Sequence, residues 1–140
     1  TDYKIQNCVI SYRGFTPIYD SLDKFHYDNH DKLINLSLKN FSTNGAGTLW
    51  KPQFFHKTTN LIFNDEIFLN CCHTQDDIWF YLIRILNNIP CYLGKKEWGI
   101  FKTCHPSQTL FYRFNKKKNT IALKNTVEKL QDLGYNFTDL

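Results

Sequence analysis

Two adjacent carboxylates, Asp76 and Asp77, stand at the head of an apolar run, IWFYLIRIL, that gives way to Asn87 and Asn88. Carboxylates placed this way have two uses. In the first turn of a helix they interact favourably with the macrodipole, by a few tenths to about 1 kcal/mol. Projecting instead into a cleft, one of them can act as a general base on a hydroxyl, or orient that hydroxyl. A helix N-terminus lowers a carboxylate pKa, whereas burial and a neighbouring acid raise it. Both readings stand on the sequence.

Four other groups could do chemistry. Asn44-Gly45-Ala46-Gly47 is a run of small residues that lets backbone approach backbone, or lets a sugar or diphosphate approach the chain. It is neither a phosphate-binding GK[ST] loop nor GxGxxG, and a tight turn between strands explains it equally well. Arg13 follows an apolar strand-like run. A strand end is a common place for a phosphate or carboxylate contact, and also for a plain surface arginine. The five histidines, His26, His30, His56, His73 and His105, form no HExxH motif. His105, next to Pro106, is the one candidate metal ligand. Lys116-Lys117-Lys118 reads as a solvated link, with contact to an anionic membrane surface as the weaker alternative.

The elements that must position these residues follow from periodicity. Residues 3–12 contain CVISY and read as a strand. Residues 14–40 read as a polar and aromatic loop region with short helical turns. Residues 41–51 read as a strand or strand pair broken by the glycine turn, and Pro52 stops the ladder. Residues 62–71 suit a short helix opened by Asn60 or Asn64. Thr74 is an apparent N-cap, with Asp77 at the acid position of a capping box, for a helix over 75–87 that is apolar nearly all round. A short strand over 91–93, a loop over 95–106 and helices over 107–115 and 120–133 complete the chain. Gly134 is placed to end the last helix. Alternating elements imply an α/β class within one domain, residues 1–140.

Composition narrows the function. Hydrophobic residues make up 42% of the 140 and aromatics 16%, enough for a real core and too much for disorder. The net charge is +4, with only three arginines, which argues against base readout and nucleic-acid binding. No apolar run approaches the ~20 residues of a membrane span, and no signal-peptide pattern opens the chain. The five cysteines fit no zinc or redox spacing, so free thiols in a reducing, cytoplasmic setting are expected. The first residue is Thr and Met is absent, which is the expectation for a trimmed or excised chain.

The order of these motifs resembles the C-terminal half of bacterial GT-A-type glycosyltransferases of surface-polysaccharide synthesis. In that pattern a strand ending in an Arg-Gly-like turn is followed by a TG-G-LY-P segment and then a DDIW helix. The counterparts are Ser11-Tyr12-Arg13-Gly14, the segment from Thr43 to Pro52, and Thr74-Gln75-Asp76-Asp77-Ile78-Trp79, with Gln108-Thr109-Leu110-Phe111 and Asn115 matching the helix that follows. The similarity runs from about Asn7 to Leu133. A looser one is to β1,3-type glycosyltransferases, whose acidic helix start carries the proposed base.

The resemblance implies a partial GT-A-like mixed sheet flanked by helices. It implies sugar transfer from a nucleotide-sugar donor to a saccharide acceptor. Asp76 and Asp77 would be catalytic, and Arg13, Asn44, Gly45, Ala46, Gly47 and Trp50 would bind substrate. It also implies Mn²⁺ or Mg²⁺ for the complete enzyme, held on a D-x-D motif that this sequence does not contain. The N-terminal nucleotide-binding half is not matched either. The chain is therefore expected to be the acceptor-side portion, inactive alone, with peripheral membrane contact as a further expectation. The rival expectation is a non-catalytic carbohydrate-binding module that uses aromatics such as Trp50, Trp79 and Trp98 as stacking platforms.

Overall fold

A computed structural model describes residues 7–94, 115 and 118–137. It is a mixed α/β structure with two small sheets and four helices. In chain order the strands are β1 (Val9–Ser11), β2 (Gly14–Pro17), β3 (His30–Asp31), β4 (Leu36–Ser37), β5 (Phe41–Ser42), β6 (Thr48–Leu49) and β7 (Cys91–Leu93). The helices are α1 (Thr59–Ile62), α2 (Asp65–Cys72), α3 (Asp76–Leu86) and α4 (Asn119–Asp132). One sheet runs β4-β7-β1-β6 and the other β3-β2-β5. Among the described strands only β1 and β7 pair in parallel, with Val9, Ile10 and Ser11 opposite Cys91, Tyr92 and Leu93. The chain returns between them through α3, as a parallel pair requires a long crossover.

Most of the expected elements form, with three differences. Residues 14–40 contain β2, β3 and β4, not only loop and helical turns. These strands are two to four residues long, too short for alternation to show in the sequence. The helix expected over 62–71 is two helices, broken at Phe63 and Asn64, because the Asn64 side chain accepts from the Ile67 N–H at 3.1 Å and opens α2. Third, the strand pair around the glycine turn splits between sheets: β5 pairs with β2, and β6 pairs with β1. The expected loop over 95–106 and helix over 107–115 lie outside the described residues, Asn115 excepted.

The main core lies where α2, α3 and α4 meet the back of β5. Helix α3 is buried on nearly every side, with Ile78, Trp79, Tyr81, Leu82, Ile83 and Ile85 all inside, as its apolar circumference requires. Each such side chain contributes roughly 1.5–3 kcal/mol of burial. Phe41 of β5 sits under them, its ring 4.8 Å from that of Tyr81 and stacked 5.0 Å from Phe15. Helix α4 presents Ala122, Leu123, Thr126, Val127 and Leu130 to the core at helical spacing. It ends before Gly134, whose φ of +88° suits a glycine.

Arg84 of α3 is fully buried with no carboxylate among its described hydrogen-bond partners. Its guanidinium donates to the carbonyls of Leu38 (2.9 Å), Asn40 (2.6 Å) and Ile89. It also lies 5.5 Å from the Tyr81 ring centroid. Burial lowers its pKa, while the fan of carbonyl dipoles compensates the charge. Tyr81 in turn shares a 2.6 Å hydroxyl contact with Tyr19. This network holds α3 against the segment that enters β5 and the turn that enters β7.

Gly14 at the start of β2 has no room for a side chain. A Cβ there would lie 2.2 Å from the Phe41 carbonyl oxygen and 2.6 Å from a Leu93 methyl. The glycine after Arg13 is thus demanded by the approach of β2 to β5. Gly14→Ala should lower stability by about 1–3 kcal/mol or more through overpacking. Arg84→Leu, which strands three buried carbonyls, should cost on the order of 3 kcal/mol or more. Urea titration of both variants checks the two figures; a Gly14→Ala midpoint equal to wild type would show that β2 can move off β5.

Candidate functional site

A cleft of about 440 Å³ opens between the start of α3, the β5–β6 turn and the start of α4. Arg13, Gly14 and Phe15 of the β1–β2 segment, Tyr27, Asp28 and His30 line it. So do Thr43, Gly45 and Ala46 of the β5–β6 turn, Thr74, Gln75, Asp76, Asp77 and Ile78 around the start of α3, and Asn115 and Asn119 near the start of α4.

The carboxylate of Asp77 does not fold back to cap its own helix. It accepts from the backbone N–H of Asn44 in the β5–β6 turn at 2.7 Å. Nor does Thr74 cap α3: the residue before the helix is Gln75, without a side-chain cap. The Thr74 hydroxyl donates to Asn115 Oδ1 at 2.9 Å, Gln75 Nε2 donates to the same oxygen at 3.2 Å, and Asn115 Nδ2 donates to the Thr74 carbonyl at 2.8 Å. The expected capping box is therefore replaced by two tertiary links. One ties α3 to the glycine turn, the other to the approach of α4. An acid three residues after Thr reads as a box only while nothing else competes for it.

Burial raises the Asp77 pKa from 3.8 to about 6. The Asn44 N–H opposes that rise, Asp76 adds to it, and Arg13 opposes it. Asp76 is exposed at the cleft edge, so the two acids have different surroundings. Tyr27, which also lines the cleft, is pushed up to about 12, by burial first and then by Asp77, so its phenol stays protonated.

Six of the expected site residues meet at or beside this cleft: Arg13, Gly45, Ala46, Asp76 and Asp77 line it, and Asn44 contributes its backbone N–H. Gly45 is exposed, and a Cβ there meets nothing within 4 Å, so the fold itself does not require glycine at this point. Gly47 lies at the turn end with φ +101°, a conformation that favours glycine, and its carbonyl accepts from the Tyr12 N–H at 3.0 Å. It serves the turn rather than the cleft lining. Trp50 is not in the cleft. It packs on Phe55 and Phe80 at 5.7 and 5.3 Å, as a core aromatic does. His105 lies outside the described residues. Among the described residues no group of three or more His, Cys, Asp or Glu is placed to hold a metal ion.

Tyr27, Asp28, His30, Asn115 and Asn119 also line the cleft, though none is a candidate cleft residue on the sequence. In a chain this rich in Asn and Tyr, no local pattern sets them apart. Among the described residues no helix is long and apolar enough to cross a membrane. Comparison with protein-family models, with curated proteins and with solved structures finds no match in any of the three.

The Asp77 shift has a definite sign. Its folded pKa lies above its unfolded value, so the folded state holds the proton more tightly. Wild-type stability should fall as pH rises from near 3.8 to about 6 and stay reduced above that, by on the order of 1–3 kcal/mol once solvent screening is allowed for. Asp77→Asn keeps an oxygen to accept from Asn44 and removes the titration. Denaturation at pH 4 and pH 7 should show the variant gaining on wild type at the higher pH. An equal difference at both pH values would mean that Asp77 is not desolvated.

Proposed function

We propose that the cleft is the acceptor side of a glycosyltransferase of the GT-A kind, acting on a saccharide hydroxyl in surface-polysaccharide synthesis. The observation that carries the reading is Asp77: a half-buried carboxylate lining a polar cleft, tethered to the glycine turn and tuned to a pKa of about 6. A base with that pKa is ionised at neutral pH and still able to take a proton. The order of the Arg13 turn, the glycine segment and the acidic helix start supports the family reading, because all three segments border one cleft.

In this reading Asp77 removes the proton from the acceptor hydroxyl. The oxygen attacks the anomeric carbon of the activated sugar, the new C–O bond forms, and the bond to the nucleoside diphosphate breaks as that group leaves with its electron pair. Asp76 acts on the step indirectly, by raising the Asp77 pKa, and Arg13 at the rim favours the ionised carboxylate. Donor binding and its Mn²⁺ or Mg²⁺ rest on the resemblance alone; the cytoplasmic location rests on the cysteine spacings, and membrane contact on Lys116-Lys117-Lys118. The packing of Trp50 against Phe55 and Phe80 weakens the alternative of a carbohydrate-binding module built on that residue.

Sugar-transfer assays of the full-length gene product with a panel of nucleotide sugars test the proposal. Asp77→Asn should lose about 10²–10⁴-fold in turnover, the usual span for a general base. Asp76→Asn should retain most activity and move the acid limb of the pH–rate profile below about 6, as one carboxylate neighbour is removed. Wild-type turnover in Asp77→Asn would end the base assignment. Saccharide binding with neither nucleotide binding nor transfer would favour the module.

A further inference from the structure

A second cavity, of about 550 Å³, is also lined by Thr74 and Gln75, the two residues that lead into α3. Cys71 and His73 at the end of α2, and Lys118, Ile121, Ala122 and Asn125 at and after the start of α4, line it as well. The cleft and this cavity therefore meet at one short stretch of chain, next in sequence to Asp76 and Asp77. From this juxtaposition we propose that the acceptor is at least a disaccharide: the sugar that receives the new bond lies in the cleft beside Asp77, and the next sugar of the acceptor lies in the second cavity.

The shared stretch is held in place. Asn115 accepts from the Thr74 hydroxyl and the Gln75 carboxamide, and donates to the Thr74 carbonyl. Helices α2 and α4, which supply the rest of the cavity, pack on each other. The cleft and the second cavity each fall within the roughly 300–1,000 Å³ span of small-molecule sites.

The lining of the second cavity suits a sugar ring. Lys118, Ile121 and Asn125 follow one another at spacings of three and four residues, so they form one stripe along α4. All three are exposed, as is His73, so a ligand can reach them. The core face of α4 is built from Leu123, Thr126, Val127 and Leu130. Ile121 is 58% exposed and stands apart from that face. With Ala122 and Cys71 it gives the cavity an apolar surface, while His73, Thr74, Lys118 and Asn125 bring hydrogen-bonding groups. A pyranose has the same two characters, a C–H face and a hydroxyl edge. The charges of the two cavities differ. Asp28, Asp76 and Asp77 line the cleft, whereas no carboxylate lines the second cavity among the described residues. The acid that would take the hydroxyl proton is therefore in the cleft alone, and the second cavity holds a ring without activating it. The inference rests on the acceptor-side reading above and adds to it the length of the acceptor.

Calorimetric titration of the full-length gene product tests the proposal. The probes are cellobiose, lactose and N,N′-diacetylchitobiose, each compared with the methyl β-glycoside of its non-reducing sugar. Ile121→Asp and Asn125→Ala, both at exposed positions, are titrated alongside wild type, and melting temperatures are recorded. At least one disaccharide should bind wild type about tenfold more tightly than its glycoside, because the tethered second ring adds contacts without a second loss of translational freedom. Both variants should lose most of that advantage, bind the glycoside as wild type does, and melt where wild type melts. Disaccharides that bind no more tightly than their glycosides would overturn the second cavity and leave the cleft reading intact. So would an advantage that survives in both variants. Equal weakening of glycoside and disaccharide in both variants would make these residues structural and overturn it likewise. Failure of every saccharide to bind wild type would instead remove the acceptor-side reading, and this inference with it.

Discussion

The buried guanidinium of Arg84 is the interaction on which the remaining geometry depends. It sits in the last turn of α3 and donates to carbonyls from two distant segments, Leu38 and Asn40 before β5 and Ile89 before β7. A buried cation without a carboxylate is tolerable only when carbonyl dipoles surround it, so the charge dictates where those backbones must lie. Asn40 then carries the constraint further. Its side chain accepts from Thr16 at 2.8 Å and donates to the carbonyls of Ile34 (2.7 Å) and Cys91 (2.9 Å), binding β2, the approach to β4, and β7. The C-terminal end of α3 is thus fixed to both sheets, and its N-terminal end, with Asp77, has little freedom in where it can point.

At that other end the same helix meets the cleft. Asp77 holds the glycine turn by one backbone hydrogen bond, and Asn115 holds Thr74 and Gln75 by three. The helix start therefore exchanges local caps for links to other segments. Its place beside the glycine turn gives Asp77 the partial burial that raises its pKa, against which the Asn44 N–H works. A carboxylate capping its own helix from solvent would have neither.

Much of the fold was legible in the sequence, and the reasons differ by element. Helices α3 and α4 declared themselves by apolar patterning over three or more turns, and β7 by a short run after Pro90. The strands β2 to β4 did not, because pairs two to four residues long are set by neighbours far along the chain. At the site, Asp76, Asp77, Arg13 and the glycine turn stood out because acid pairs, isolated arginines and small-residue turns are locally unusual here. Asn119 did not stand out, and Asn115 did so only through the helix matched by the resemblance. Their difference, Asn115 hydrogen-bonded through its side chain and Asn119 Oδ1 without a partner among the described residues, exists only in three dimensions. Trp50 is the converse case: a conspicuous residue type whose partners, Phe55 and Phe80, are close enough in the fold to absorb it.

The parallel pairing of β1 with β7 joins segments separated by most of the described chain, and the cleft has the same long-range character. Arg13, Asn44, Asp77 and Asn119 come from four regions with whole elements between them. Closing such long loops carries an entropic cost before any contact forms, so the cleft has no local precursor and assembles only with the global fold. Its ligand and its folding are then thermodynamically linked: whatever binds there binds the native state alone and shifts the unfolding equilibrium by mass action.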